Sequence, residues 1–510
     1  MINSRLGWEK IDYRKIEMIM AILFFLSLIP IMYCSFFNYA TGDDLWEGAV
    51  AKQVIANGGD IKEFVQAIWN WAKVDYYGWE GNWSSIILWC LEPSIWGEKV
   101  YHITAWIALV SICGGSYYFF RYYLKKYFNA PGNLINITAI IVCFYCIQYM
   151  PYVRSGIFWY TGMINYVLPF GLCLASFVWA DKFLVSGKKR WLTGVSIIFA
   201  YLGGAGYPPI ILAFEIMILI SFVFMIQNKG LYKRGLFLLI PVFLLVAGFV
   251  FSALSPGNAV RGGETYYFSV QRVVETLMQC LIQGCGGIID TFVRVRPLFL
   301  MIPILSIATW ELVDVNNIEC NHPVWVTLIL FLINCSVYAP QIYAQSEVSG
   351  GVPDVIYFVL ILLIAIEIIY INGWIKGRIT AKGENISLDI MGKTRIGILI
   401  FSVIFCAVFS KFLIGNMTDY ICIEYVKSGQ LKDFDRQMKE RLAILNSEDK
   451  NVILPEMNDE QGPFMHMAIT RNPEAYTNKA TARFYGKESV VAIPRDEYYE
   501  LYGITGDEKE

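Results

Sequence analysis

Two adjacent carboxylates, Asp43 and Asp44, stand immediately after the first long apolar run of the chain, in Asn38-Tyr39-Ala40-Thr41-Gly42-Asp43-Asp44-Leu45-Trp46-Glu47. Acids at a membrane rim are costly to desolvate and repel one another, so a tight pair is suited to holding a cation or moving a proton. The plainer reading is a polar loop start in which Asp44 caps the following helix. Capping accounts for one acid and leaves the other over, which favours a catalytic or metal-binding pair. The segment 38–98 that holds them mixes Trp46, Trp69, Trp71, Trp79, Trp83, Tyr76 and Tyr77 with Asp43, Asp44, Glu47, Asp75 and Glu80. Any one tryptophan is expected at a membrane interface. Rings together with carboxylates also form a sugar site, with C–H faces stacking on the rings and hydroxyls bonding the acids.

The elements that must position these residues follow from the composition. The 510 residues are 56 % hydrophobic and 16 % charged, well under the quarter of charged residues usual in a soluble protein, so the chain reads as an all-α polytopic membrane protein. Apolar runs predict about eleven crossings: 18–37, 99–120, 134–150, 166–184, 191–205, 207–227, 236–254, 297–313, 323–340, 354–374 and 396–414. The run 84–97 is short and broken at Pro93, as in a re-entrant or interfacial helix. Basic clusters at Arg121/Lys125/Lys126, Lys182/Lys188–Arg190, Lys229/Lys233/Arg234 and Lys376–Arg395 fall on one side in this layout, the side of Arg5, Lys10, Arg14 and Lys15. The positive-inside bias then makes the N-terminus cytoplasmic, with a retained signal anchor, and puts residues 416–510 outside. The layout divides the chain into a transmembrane domain, 1–415, and an extracytoplasmic C-terminal domain, 416–510. That tail carries 18 acidic against 12 basic residues, with helical spacing over 419–445 and a short strand at Asn451–Pro455, a small α/β unit.

Residues 45–56 and 61–73 each show helical periodicity, so 38–98 is expected to hold two amphipathic helices on the membrane surface. The loop 255–296, with Arg261, Arg272, Arg294 and Arg296, breaks the positive-inside bias, as arginines that bind an anionic group would. In Ser255-Pro256-Gly257-Asn258-Ala-Val-Arg261 the Pro-Gly turn brings Asn258 and Arg261 over the bundle. In the segment 151–166, Arg154 stands with Trp159, Tyr160 and Asn165; a guanidinium fork matches phosphate oxygens, while snorkelling to headgroups is its ordinary role. Glu215 lies inside an apolar run, where an acid either serves function or bonds a neighbouring helix. Cysteines are scattered through apolar runs; only Cys280 and Cys285 are placed for an outside disulfide. Three histidines are too dispersed for a zinc site, and the near-balanced charge gives no nucleic-acid partner.

The acidic pair after span one, Gly81-Asn82-Trp83, Phe158-Trp159-x-Thr161-Gly162-x-x-Asn165-Tyr166, Ser255-Pro256-Gly257-Asn258 with Arg261, and Ala482-Arg483-Phe484-Tyr485-Gly486 together resemble an uncharacterised family of bacterial membrane proteins similar to the GT-C glycosyltransferases. Around Ser349–Asp354 a basic residue expected from that pattern is missing. The resemblance implies a GT-C-like bundle and a polyprenyl-phosphate sugar donor. Residue chemistry points the same way, because carboxylates outside the membrane cannot meet cytoplasmic nucleotide sugars. The expected activity is transfer of a sugar from the lipid donor to a cell-envelope glycan, a step of polysaccharide biosynthesis at the plasma membrane. Asp43 would be the general base and Asp44 would position the acceptor or help hold a divalent cation, magnesium or manganese. Arg154 and Arg261 would neutralise the leaving phosphate, and Trp83, Trp159, Tyr160, Asn165 and Asn258 would bind substrate. A flippase of a lipid-linked sugar would need mid-membrane charges and two matching halves, and no such repeat appears. A non-catalytic envelope-assembly partner would leave the acid pair without a purpose.

Overall fold

A computed structural model describes residues 12–263, 269–312, 320–344, 350–381 and 388–504. The expectations placed on Arg5, Lys10, Ser349 and Lys382 lie outside the described residues. Among those described, nine helices are long and apolar enough to cross a membrane, and Gly132–Gln148 and Leu298–Trp310 are shorter apolar helices. The chain is thus a helical, multi-pass membrane protein, the only open-ended architecture that satisfies every backbone group in lipid. Burial separates the centre of the bundle from its rim: 72 % of the Tyr160–Ser186 window is buried, against 17 % for Tyr13–Ser35. The outer helices present Leu23, Phe25 and Val408 outward, as lipid-facing helices must.

The segment 38–98 folds into two helices, Asp43–Ala56 and Ile61–Gly78, followed by Trp83–Trp89 and a short turn at Pro93–Trp96. Only the second is amphipathic as expected; the first, with Asp44, Leu45, Glu47, Gly48, Ala49 and Ala51 buried, is enclosed by its neighbours. Asp60 and Glu63 form a capping box that starts the second helix sharply. The tail is helical over Thr418–Lys427 and Gln430–Leu445, then forms the strand Asn451–Pro455. This strand pairs in parallel with Ser489–Ile493, register Asn451 to Ser489. A parallel pair needs a crossover, and the connection contains the helix Tyr476–Tyr485.

That crossover helix packs on Asp43–Ala56. Gln53 Nε2 donates to the carbonyls of Arg483 and Phe484, at 3.0 and 3.2 Å, closing the end of the tail helix. Tyr485 donates to Glu98 at 2.8 Å, Tyr39 to Asp435 at 2.7 Å, and the Met467 amide to Thr41 at 2.9 Å. Tail and first loop are therefore one structure at one end of the bundle.

Residues 255–296, expected as a loop, instead form the helices Pro256–Gly262 and Val270–Arg294. The longer one is amphipathic: Val274, Leu277, Met278, Leu281 and Ile282 are exposed, while Arg272, Thr276, Cys280 and Gly284 are buried. Its first turn places Arg272 4.9 Å over the Tyr343 ring. Its last turn leads to Pro297, whose carbonyl accepts from Tyr145 at 2.9 Å. Cys280 and Cys285 both lie on this helix and are free thiols, which corrects the expected disulfide. Five residues along a helix turn two side chains about 140° apart, beyond bonding reach.

Candidate functional site

Gly42, at φ +51°, is the residue before the helix and supplies no side-chain cap. A left-handed turn of this kind suits glycine. It leaves Asp43 and Asp44 together in the first turn, where the free amides and the helix dipole favour carboxylates. One residue of helix is about 100° of rotation, so the two acids face different surroundings.

Asp44 is turned into the protein and is fully buried. Its Oδ1 accepts from the Thr161 amide at 2.9 Å and the Thr161 hydroxyl at 2.6 Å. Its Oδ2 accepts from the Tyr101 hydroxyl at 2.5 Å and the Thr41 amide at 3.4 Å. Burial pushes its pKa up to about 6, with the Thr161 and Tyr101 hydrogen bonds pulling against it. The Phe158–Tyr166 motif builds this pocket. Asn38 donates to the Phe158 carbonyl at 2.7 Å, Trp89 to the Thr161 carbonyl at 3.1 Å, and the Tyr160 amide to Tyr101 at 3.1 Å.

Asp43 faces the tail. Its one hydrogen bond comes from the Tyr476 hydroxyl at 2.7 Å. Burial raises its pKa, against the Tyr476 hydrogen bond and the charge of Arg261. Around it runs an aromatic wall: Tyr476 lies 5.5 Å from Trp46, and Trp46 5.9 Å from Trp71. Arg483 lies over Trp71 at 3.8 Å and Trp46 at 4.9 Å. The Trp71 indole donates to Glu47 at 2.7 Å. Arg261 pairs with Glu80 and sits 5.5 Å over Trp79. This docking depends on Gly257, where a Cβ would come within 2.7 Å of the Trp79 and Glu80 backbone. Asp75 closes the group; burial and the neighbouring Asp43 lift its pKa to about 7, with Arg261 pulling it down.

The other expected residues are placed as follows. Trp83 donates to the Gly248 carbonyl at 3.2 Å, and Tyr160 to the Leu88 carbonyl at 3.0 Å. Asn165 accepts from Ser85 at 2.8 Å. Asn258 accepts from the Gly81 amide at 3.0 Å and donates to the Ser252 carbonyl at 2.7 Å, pinning the turn that carries Arg261. Trp159 is buried, and its indole nitrogen has no hydrogen-bond partner among the described residues. Arg154 is exposed and donates to the Gly462 carbonyl at 2.8 Å, tying the tail to the bundle. Asp43 and Arg261 are thus brought to one mouth. Trp83, Tyr160, Asn165 and Asn258 are bound into its supports.

Asp43 and Asp44 do not converge on a common point, and both oxygens of Asp44 already face N–H or O–H donors, which does not fit a cation shared between them. Among the described residues no group of three His, Cys, Asp or Glu is arranged to hold a metal ion. Tyr476 received no role from sequence reasoning, and Arg483 appeared there only within the Ala482–Gly486 motif; the tail brings both to the mouth. No protein-family model, curated protein or solved structure matches the chain.

Proposed function

We propose that the chain is a membrane glycosyltransferase of GT-C type, moving a sugar from a polyprenyl-phosphate donor to an envelope glycan on the outer face of the plasma membrane. One observation carries the reading: Asp43, held by a single hydrogen bond, stands near Arg261 in a mouth walled by tryptophans and carboxylates. Asp43 takes the proton of an acceptor hydroxyl as that oxygen attacks the anomeric carbon. The bond from that carbon to the phosphate oxygen breaks, the polyprenyl phosphate leaves with the electron pair, and Arg261 meets its charge. A single displacement inverts the anomeric centre. Asp44 acts through structure, fixing the helix turn that aims Asp43. Arg154, exposed and tied through Nε to the Gly462 carbonyl, turns the rest of its guanidinium to donor headgroup or lipid phosphate.

The layout that serves this chemistry is the eleven-crossing one, with the N-terminus cytoplasmic and the tail outside. Val270–Arg294, though one of the nine long apolar helices described, lies along the outer surface in this layout: its first turn meets Tyr343 and the Pro297 that follows it meets Tyr145, both toward the tail side. Glu215, on which a transport reading would lean, accepts from Ser336 of a neighbouring helix at 2.8 Å, an ordinary helix–helix bond.

The test is reconstitution into liposomes with a synthetic polyprenyl-phosphate sugar and an envelope polysaccharide. Acceptor-dependent release of polyprenyl phosphate is expected. Donor that crosses the bilayer with its sugar–phosphate bond intact would replace the transferase by a flippase.

A further inference from the structure

The mouth holds more carboxylates than its own cations satisfy. Arg261 is engaged by Glu80, and Arg483 by the Trp46 and Trp71 rings beside Glu47. Lys52 is turned to the carbonyls of Ser94 and Ile95. Asp43 and Asp75 share the one Arg261 charge with Glu80, so three carboxylates divide a single guanidinium. Among the described residues Asp43 receives only the Tyr476 hydroxyl. Asp75 is 4 % exposed, and its Oδ2 has no hydrogen-bond partner among the described residues. The two acids act on each other through space, and Asp75 also acts on Glu47. A buried carboxylate oxygen without a donor is costly, so it marks a place where a ligand completes the structure.

The walls select the kind of ligand. Trp46 and Trp79 already carry the Arg483 and Arg261 guanidiniums on ring faces, and Tyr476 lies against Trp46, so this wall is of a kind that takes organic nitrogen cations. Rings supply no lone pair to a calcium or magnesium ion, which needs about six oxygen ligands. An ammonium group satisfies both demands, donating to the open oxygen of Asp75 while lying against π surface beside Asp43.

We propose that this mouth binds a ligand bearing a protonated primary amine, seated between Asp43 and Asp75, so that the saccharide handled here is an amino sugar or an amine-substituted glycan. Naming a saccharide rests on the glycosyltransferase reading; the amine subsite rests on the side chains alone. With the amine against Asp75, a neighbouring hydroxyl of the same ring meets Asp43.

The full chain in detergent is titrated calorimetrically with methyl 2-amino-2-deoxyglucoside, its N-acetyl derivative and methyl glucoside, without any donor. The free amine is expected to bind about tenfold tighter than either neutral sugar. Asp75→Asn, nearly identical in shape, is expected to remove that preference. Equal affinity for the three sugars, no binding of the amine, or a preference kept in Asp75→Asn would overturn the proposal. The comparison of sugars on the unaltered protein does not depend on how the variant folds. Amine selectivity lost with liposome transfer intact rejects the subsite alone; selectivity kept with no transfer rejects the transferase alone.

Discussion

Asp43 and Asp44 share one helical turn and meet opposite surroundings. The Asp44 side is a closed pocket in which Thr41, Tyr101 and Thr161 supply four donors to two oxygens. The Asp43 side is a mouth built by three distant segments, with one donor, one nearby guanidinium and aromatic walls. A carboxylate whose lone pairs are all taken can accept a proton only by breaking its own hydrogen bonds. One with a single donor can accept it at little structural cost. Donor count thus separates an acid that builds the site from one able to work in it, a distinction that proximity in the chain conceals.

The contrast breaks most readily at Asp43. Asp43→Asn keeps the shape and the Tyr476 contact but cannot take a proton, so transfer is expected to fall about 10²- to 10⁴-fold. Expression and thermal stability should stay close to wild type. A fully active Asp43→Asn protein in the liposome assay would end its role as base. Asp44→Ala should act in the opposite way. It strands the buried donors of Thr161 and Tyr101, each costing about 1–3 kcal/mol, so a large drop in melting temperature is expected. A stable Asp44→Ala protein with no transfer would instead put Asp44 in the chemistry.

The apolar runs were legible because lipid leaves the chain few choices: the run Met18–Phe37 has to be built on a helix, and the helix Tyr13–Ser35 carries it. The helix Val270–Arg294 was hidden by its polar stripe, with Arg272, Glu275 and Gln279 diluting the apolar signal. Ser489–Ile493 was missed for another reason: five residues carry little signal until a partner strand is known. At the site, residue types picked out the acidic pair, but the direction of each acid depends on Thr161 and Tyr101, far along the chain. Tyr476 lies 433 residues from the carboxylate it meets. Only the tertiary fold reveals such a pair.

Arg261 sharpens the comparison from the cationic side. It is half exposed and paired with Glu80, leaving part of its guanidinium to the mouth. Arg261→Ala is expected to raise the apparent KM for the lipid donor about tenfold, through loss of a charge-assisted phosphate contact already made before reaction. Arg261→Lys should recover only part of it, since an ammonium lacks the fork. Unchanged donor kinetics in both variants would assign Arg261 to holding Glu80 and Trp79 in place.

The smallest effect is a slope. Asp75 carries a pKa of about 7 in the folded chain, raised chiefly by burial from an ordinary 3.8. The folded state therefore holds this proton more tightly than the unfolded one between those values, and stability falls as pH rises through that window. Burial has lifted Asp44 less far, to about 6, so its contribution to the fall ends sooner. Asp75→Asn removes the slope between about pH 6 and 7 and weakens it below, where the Asp44 contribution remains. Melting curves from pH 5 to 8 should show the wild type losing stability that the variant keeps, a difference of about 2–4 °C at the alkaline end. An amine ligand should abolish the difference by pairing the ionised Asp75 in the wild type. Identical slopes for both proteins would mean that Asp75 is ionised and well solvated at neutral pH, and the mouth would then contain one exceptional acid instead of two.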